Sequence, residues 1–192
     1  MANFEQAYDI IVGYEGGYVN DPDDFGGETY MGISRRYNPQ WEGWDIIDDF
    51  KHEHPNDFPE GLELDDDLEE EVKKFYEINY WDKMVLDDVK SQHIAEELMD
   101  IAVNMGVETS TTFLQMALNY FSEDEELFEE LDADGVFGPL TLNALQTYSE
   151  HYEDEPLLKL LNVFQAVKYM SIVDRHPEQA KFFEGWLKRV RV

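Results

Sequence analysis

The sequence predicts a mainly α protein of the α+β class, with a small β-hairpin wing and a helical C-terminal lobe. Three observations predict it. Apolar residues recur at i, i+3 and i+4 spacing over most of the 192 residues. Residues 17–37 break that period: they hold five glycines or prolines and alternate weakly, as in Gly-Tyr-Val-Asn and Thr-Tyr-Met-Gly-Ile. Aromatic residues make up 14% of the chain, enough to argue for a packed core despite an extreme charge.

Each element follows from its own residues. Phe4, Ala7, Tyr8, Ile11 and Val12 define an amphipathic helix over 3–15, with Asn3 as N-cap and Gly16-Gly17 as the stop. The hairpin comes next, with an irregular turn at Asp21–Gly27. Residues 42–77 hold 15 acids against three lysines. Pro55, Pro59 and Gly61 predict an irregular surface excursion for the first part. A helix is expected from Asp66 to about Tyr80, with Leu68, Val72, Phe75, Tyr76 and Asn79 on one side. Ile94, Leu98, Ile101, Ala102 and Met105 predict a helix over 91–105 that stops at Gly106. Phe113, Leu114, Ala117 and Leu118 predict another over Thr109–Phe121. Residues 123–134 carry eight acids and no base, and are expected as a solvated loop and helix flank. Helices follow at 139–149, where Pro139 suits a first turn, at 156–173, and from Pro177 to Val190.

Composition narrows the function. There is no cysteine, so disulfides, thiolate metal sites and a cysteine nucleophile are excluded. With 14 Lys+Arg against 44 Asp+Glu, the net charge is −30. A nucleic-acid binder needs net cation to displace counterions, so nucleic acid is not the expected partner. No secretory leader or membrane span is evident, so a cytoplasmic protein that acts on its target after release or export is expected. Six of the basic residues lie from Lys168 onward, which predicts a basic C-terminal face.

The chemistry-bearing residues cluster near the N-terminus. Glu15 falls at the last turn of the first helix, on the face of Phe4, Tyr8 and Ile11. The helix C-terminus and partial burial both disfavour a carboxylate anion, which suits a general acid. Asp24 lies across a turn from it, and a hairpin folding back could bring the two carboxyls together across a cleft, as glycosidases require. The competing reading of Asp21–Thr29 is an Asx-rich turn. Thr29 could hold a water near Asp24. Calcium loops beginning at Asp21 or Glu130 fail, because Gly32 and Thr141 stand where the bidentate glutamate belongs. His52 and His54 lack the spacing of a helical zinc pair. No metal and no cofactor are expected.

Glu15-Gly16-Gly17-Tyr18-Val19-Asn20-Asp21-Pro22, Asp24, Gly26-Gly27-Glu28-Thr29 and Gly32-Ile33-Ser34 together resemble the N-terminal signature of glycoside hydrolase family 108. Tyr80-Trp81-Asp82, the run Asp100–Gly106 and the closing Phe183–Val190 are also similar to elements of that family. Asp134-Gly135-Val136-Phe137-Gly138-Pro139-Leu140-Thr141 resembles the Asp-Gly-x-x-Gly-Pro-x-Thr turn of its peptidoglycan-binding-like region. The resemblance implies a lysozyme-like fold, with a catalytic lobe at 1–90 and a helical wall-binding lobe at 91–192, packed as one unit. It implies an N-acetylmuramidase, of the phage endolysin type, that cleaves the β-1,4 bond between N-acetylmuramic acid and N-acetylglucosamine. Glu15 falls on the family's catalytic glutamate; Asp24 and Thr29 fall on signature positions. Tyr18, Tyr30, Trp81 and Asn104 are candidate sugar contacts. The expected partner is the peptidoglycan glycan strand, met by a monomer without a membrane. The alternatives are a non-catalytic wall-binding or virion structural module on the same frame, and a secretion-associated muramidase that opens local gaps. Phe25, Tyr30-Met31 and the long acidic 42–77 segment depart from the family pattern.

Overall fold

The computed structural model describes residues 1–12, 17–20, 27–122 and 126–191. It has a mainly α, lysozyme-like α+β fold with a small antiparallel sheet. The chain divides into two compact units: Tyr8–Asn79, and Met1–Ala7 together with Tyr80–Val192.

Helix α1 (Phe4–Val12) begins in the larger unit and ends in the smaller one. Asn3 caps it as predicted, its Oδ1 accepting from the Gln6 N–H at 3.1 Å. Within the smaller unit, Tyr8 and Ile11 are buried, and Tyr8 meets Tyr76 edge-on at 5.9 Å. Strands β1 (Tyr18–Asn20), β2 (Glu28–Tyr30) and β3 (Ile33–Ser34) form the sheet in the order β1-β2-β3, one strand more than a hairpin. Thr29 stands opposite both Val19 and Ser34, and Tyr18 opposite Tyr30. Met31 and Gly32 join β2 to β3 with φ of 46° and 76°, the two positive values that a tight two-residue hairpin turn needs. The expected turn at 21–27 lies, Gly27 apart, outside the described residues.

The 42–77 segment corrects the expectation of an irregular excursion. It opens with helix α2 (Gly43–Glu53), passes through a 3-10 turn (Glu60–Leu64), and continues as α3 (Asp66–Tyr76) and a π-type turn (Glu77–Trp81). Trp44 and Ile47, three residues apart, are buried, whereas Asp45, Asp48 and Asp49 are exposed. The acids occupy the outer face of an amphipathic helix, and their density in the sequence hides its narrow apolar stripe. The Trp44 Nε1–H donates to the Asn38 carbonyl at 2.8 Å, and Trp41 packs edge-on against Trp44. Helix α3 starts at the expected residue; Asp65 caps it, accepting from the Leu68 N–H at 2.9 Å. It buries Leu68, Val72 and Tyr76.

The larger unit is built round α4 (Gln92–Met105). Helices α5 (Val107–Asn119) and α7 (Asp154–Arg175) pack against it; α6 (Pro139–His151) packs on α5, and α8 (Ala180–Leu187) on α7. Pro139 takes the first position of α6 as expected. The closing helix is shorter than predicted, because Pro177–Gln179 forms a separate 3-10 turn. Every residue of α4 from Ile94 to Ala102 is buried, including Glu96, Glu97 and Asp100. The Ser110 Oγ–H donates to the Leu98 carbonyl at 2.7 Å, drawing α5 close to α4. No described helix is long and apolar enough to cross a membrane.

Candidate active site

In the smaller unit, α1, the sheet, the 3-10 turn and α3 enclose a cavity of about 370 Å³. Tyr8, Asp9 and Val12 line it from α1, Gly17 from the start of the sheet, and Tyr30 and Met31 from β2 and its turn. Glu63, Asp65 and Glu69 close the side formed by the acidic segment. Val12 and Gly17 are the described residues on either side of 13–16, and both border this space. A Cβ placed on Gly17 would stand 3.4 Å from Glu63 Oε1, an ordinary contact but one that narrows the cavity there.

The described lining has four carboxylates and no cation. Its field registers on Tyr30, whose phenol is pushed up to about 12, first by burial and then by the charges of Glu63, Asp65 and Glu69. In such a field any group that gains negative charge on losing a proton keeps the proton longer.

Beside the cavity the sheet is braced by a polar chain. The Tyr18 hydroxyl donates to Glu28 Oε1 at 2.8 Å, while Arg35 Nη1 donates to Glu28 Oε2 at 2.9 Å and to Asp48 Oδ1 at 2.8 Å. Arg35 also lies over the Trp44 ring, 5.2 Å from its centroid. The hydrogen bond from Arg35 holds the Asp48 carboxyl below its ordinary range. The Tyr18 phenol is pushed up to about 12 by burial and by its bond to Glu28. Glu28 is thus fixed at both oxygens. Sequence reasoning gave Glu28 no role, since only the Arg35-Arg36 pair seven residues on hints at a partner.

The predicted residues fall in different settings. Glu15 and Asp24 lie outside the described residues. Thr29 is half-buried on β2, its hydroxyl donating to the Gly27 carbonyl at 3.2 Å. Tyr18 packs edge-on to Phe58 at 4.7 Å. Tyr30 is 5% exposed and borders the cavity. These three share the smaller unit. Trp81 and Asn104 belong to the larger one. Trp81 is 1% exposed; its Nε1–H donates to Asp87 at 2.9 Å and its ring meets Phe4 edge-on at 5.7 Å. Asn104 is half-buried, and its Nδ2–H donates to the Asp100 carbonyl at 3.1 Å. Among the described residues no cluster of three or more His, Asp or Glu could hold a metal ion.

The larger unit carries the Asp134–Thr141 turn. Gln115, buried on α5, reaches into it: Oε1 accepts from the Gly135 N–H at 2.9 Å, and Nε2 donates to Asp134 Oδ1 at 2.9 Å, to the Val136 carbonyl at 3.2 Å and to Thr141 Oγ1 at 3.2 Å. Gly135 has φ of 75°, and a Cβ there would stand 2.9 Å from the Glu108 carbonyl oxygen, so the position needs glycine on both counts. A cavity of about 680 Å³ borders this turn. The expected basic C-terminal face is only partly formed. Arg189 Nη1 donates at 3.0 Å to Asp100, which also accepts from Gln165, and Arg191 Nη1 lies 4.0 Å from Glu96. The buried Asp100 on α4 has drawn Arg189 inward, whereas Arg191 stays exposed.

The family model described as Glycosyl hydrolase 108 matches residues 8–106, and the chain belongs to that family. A second model, described as Predicted Peptidoglycan domain, matches residues 109–191. The chain is therefore a glycoside hydrolase directed at peptidoglycan. The solved structure titled "Structure of Brucella abortus SagA" is similar in fold, at 24% identity and a TM-score of 0.66, over 97% of this chain and 88% of that one. No curated protein matches the sequence.

Proposed function

We propose that the protein is a muramidase, cleaving the β-1,4 bond between N-acetylmuramic acid and N-acetylglucosamine, and that it works as a lysis enzyme of the phage endolysin type. Glu15 protonates the glycosidic oxygen. Asp24 stabilises the oxocarbenium-like state or, with Thr29, orients the attacking water. Tyr18 and Tyr30 serve the glycan strand, and residues 91–192 serve wall attachment. Trp81, with its ring enclosed, acts through packing, and Asn104 through the turn of α4 that it ties.

One observation carries the reading: the residues flanking the 13–16 segment, Val12 and Gly17, both line the acid-walled cavity. The carboxylates that push Tyr30 upward would likewise favour the protonated form of a glutamic acid presented there. A protonated carboxyl near neutral pH is what the first step needs, and acidic acceptors also suit the hydroxyl-rich surface of a neutral glycan.

The test is Glu15→Gln on purified sacculi, followed by turbidity and product mass spectrometry. New reducing muramic acid ends are expected from the wild type. Loss of the general acid should cost on the order of 10²-fold or more in rate. A Glu15→Gln protein that clears sacculi at the wild-type rate removes the assignment. Binding of sacculi by the wild type with no new reducing ends points instead to a non-catalytic wall module.

A further inference from the structure

We infer that the larger unit holds a second binding site, between the N-terminal part of α4 and the first half of α7, for the zwitterionic end of a peptidoglycan stem peptide: a primary ammonium on an aliphatic stem with a carboxylate beside it. The site is a cavity of about 590 Å³ lined by Glu97, Glu153, Leu158, Asn162 and Arg191, with His93 and Lys159 also on its wall. It is separate from the cavity of the smaller unit, which it shares no residue with.

Glu97 is the feature that asks for a ligand. It is 1% exposed, it lines this cavity, and its Oε1 has no hydrogen-bond partner. A buried, unpartnered carboxylate oxygen carries a desolvation cost of the kind that native structures rarely leave uncompensated. Burial and then Asp100 push the group up to about 7, against the Arg191 charge and a side-chain hydrogen bond with Asn162. The other acids of the wall are partly occupied: Asp154 accepts from the Ser91 hydroxyl, and Glu155 pairs with Lys159 at 2.6 Å. That leaves Glu153 and the Oε1 of Glu97 to receive a cation, with Asn162 bonded to the Glu97 side chain and Arg191 acting on it from nearby. Leu158 offers an apolar surface for an alkyl stem. Arg191 is held at the cavity by its own N–H, which donates to Asn162 Oδ1, and its guanidinium, 4.0 Å from Glu96, is placed to take a carboxylate.

A compact pair of opposite charges joined by a short alkyl chain matches this order of acid, apolar wall and arginine. Diamino acids of stem peptides present such a group. The inference takes its ligand source from the peptidoglycan reading and makes no use of Glu15.

The experiment titrates the full-length protein with three probes, followed by calorimetry and amide shifts. The first is the L-alanyl-γ-D-glutamyl-diaminopimelate tripeptide; the second is the same tripeptide with its side-chain amine acetylated; the third is free L-lysine. The tripeptide is expected to bind, with shifts confined to α4, α7 and Arg191. Acetylation should weaken it at least about tenfold, the worth of one charge-assisted hydrogen bond. Glu97→Gln, similar in shape, should lose the preference for the free amine, and Arg191→Gln should weaken the tripeptide with the amine preference kept. Glu15→Gln should bind the tripeptide as the wild type does, so failure of the muramidase reading leaves this result standing. Equal binding of the acetylated probe overturns the site, as does no binding of the tripeptide at millimolar concentration. Equal binding of free lysine overturns the stem-peptide source.

Discussion

Replacing Gln115 by leucine isolates the side chain that organises the Asp134–Thr141 turn. The amide is 2% exposed and the Gly135 N–H is buried with it, so that donor cannot fall back on solvent without local opening. Oε1 accepts from the Gly135 N–H; of the two amide hydrogens, one serves Asp134 and the other is shared between the Val136 carbonyl and the Thr141 hydroxyl. Asp134 is solvent-facing and is left out of the sum. At about 1 kcal/mol net per bond, the loss is about 2 kcal/mol, with a range of roughly 1–3 once the stranded Gly135 N–H and the new apolar contact of leucine are set against each other. With an m-value of about 2 kcal/mol/M in urea, the midpoint should fall by about 1 M. Urea titration gives the midpoint, and hydrogen exchange at the Gly135 amide reports the turn itself. Gln115→Glu supplies the control. It keeps an acceptor for Gly135 but sets a carboxylate against Asp134 Oδ1, where Nε2 stood at 2.9 Å. It should therefore be worse than leucine at neutral pH and recover as pH falls. A leucine variant that loses less than about 0.5 kcal/mol, with Gly135 exchange unchanged, refutes the idea that these bonds hold the turn, since such a loss is below even one ordinary hydrogen bond.

Two further outcomes follow from the ionised groups. Arg35→Met should cost about 1 kcal/mol of stability at low salt, the upper range for a partly exposed ion pair, and the deficit should shrink in molar salt; a salt-independent deficit would instead indicate lost packing on Trp44. Burial pushes the Glu97 carboxyl from the ordinary carboxylate range up to about 7, so the folded state binds the proton more tightly. Its stabilisation is fully present below about 4.5 and is lost as pH rises through about 7, a difference of at most about 3 kcal/mol. The wild type should therefore lose stability relative to Glu97→Gln between those limits in paired urea titrations at several pH values; parallel pH profiles would sink the assignment.

Where local chemistry decides the outcome, the sequence was legible. Asn3 as cap, Pro139 at the start of α6 and the onset of α3 at Asp66 depend on backbone groups within one turn, and all three stand as expected. The sheet was legible as a break in helical period, but its third strand was not, because β3 is two residues long and offers no alternation to detect. Helix α2 was missed for a different reason. Its fully buried side chains are Trp44 and Ile47, set among acids, so charge density and helical pattern gave opposite signals. Glu97 and Asp100 were illegible as buried groups. Their positions on α4 look polar, and only helices from distant parts of the chain enclose them. Arg189 pairs with Asp100 across 89 positions, a relation that no local period can encode.

That last pairing bears on the charge. A net of −30 invites the view that acids are a solvated coat and the late basic residues a docking face. The structure divides them otherwise. Arg189 and Arg191 serve buried carboxylates of α4, and Arg35 serves the sheet, so three of the cations are spent inside the fold or at its edge. Meanwhile Glu63, Asp65 and Glu69, from the most acidic segment, wall a cavity whose described lining holds no cation, with Lys73 over the Tyr8 ring as a neighbouring charge. Arginine in the packed regions and uncompensated carboxylate at the cavity is an arrangement that neutralises charge where it would cost folding and keeps it where it raises a neighbouring acid. Tyr30 is pushed up first by its burial and then by Glu63, Asp65 and Glu69, so the acids of this segment act on the cavity wall and are not a solvated coat alone.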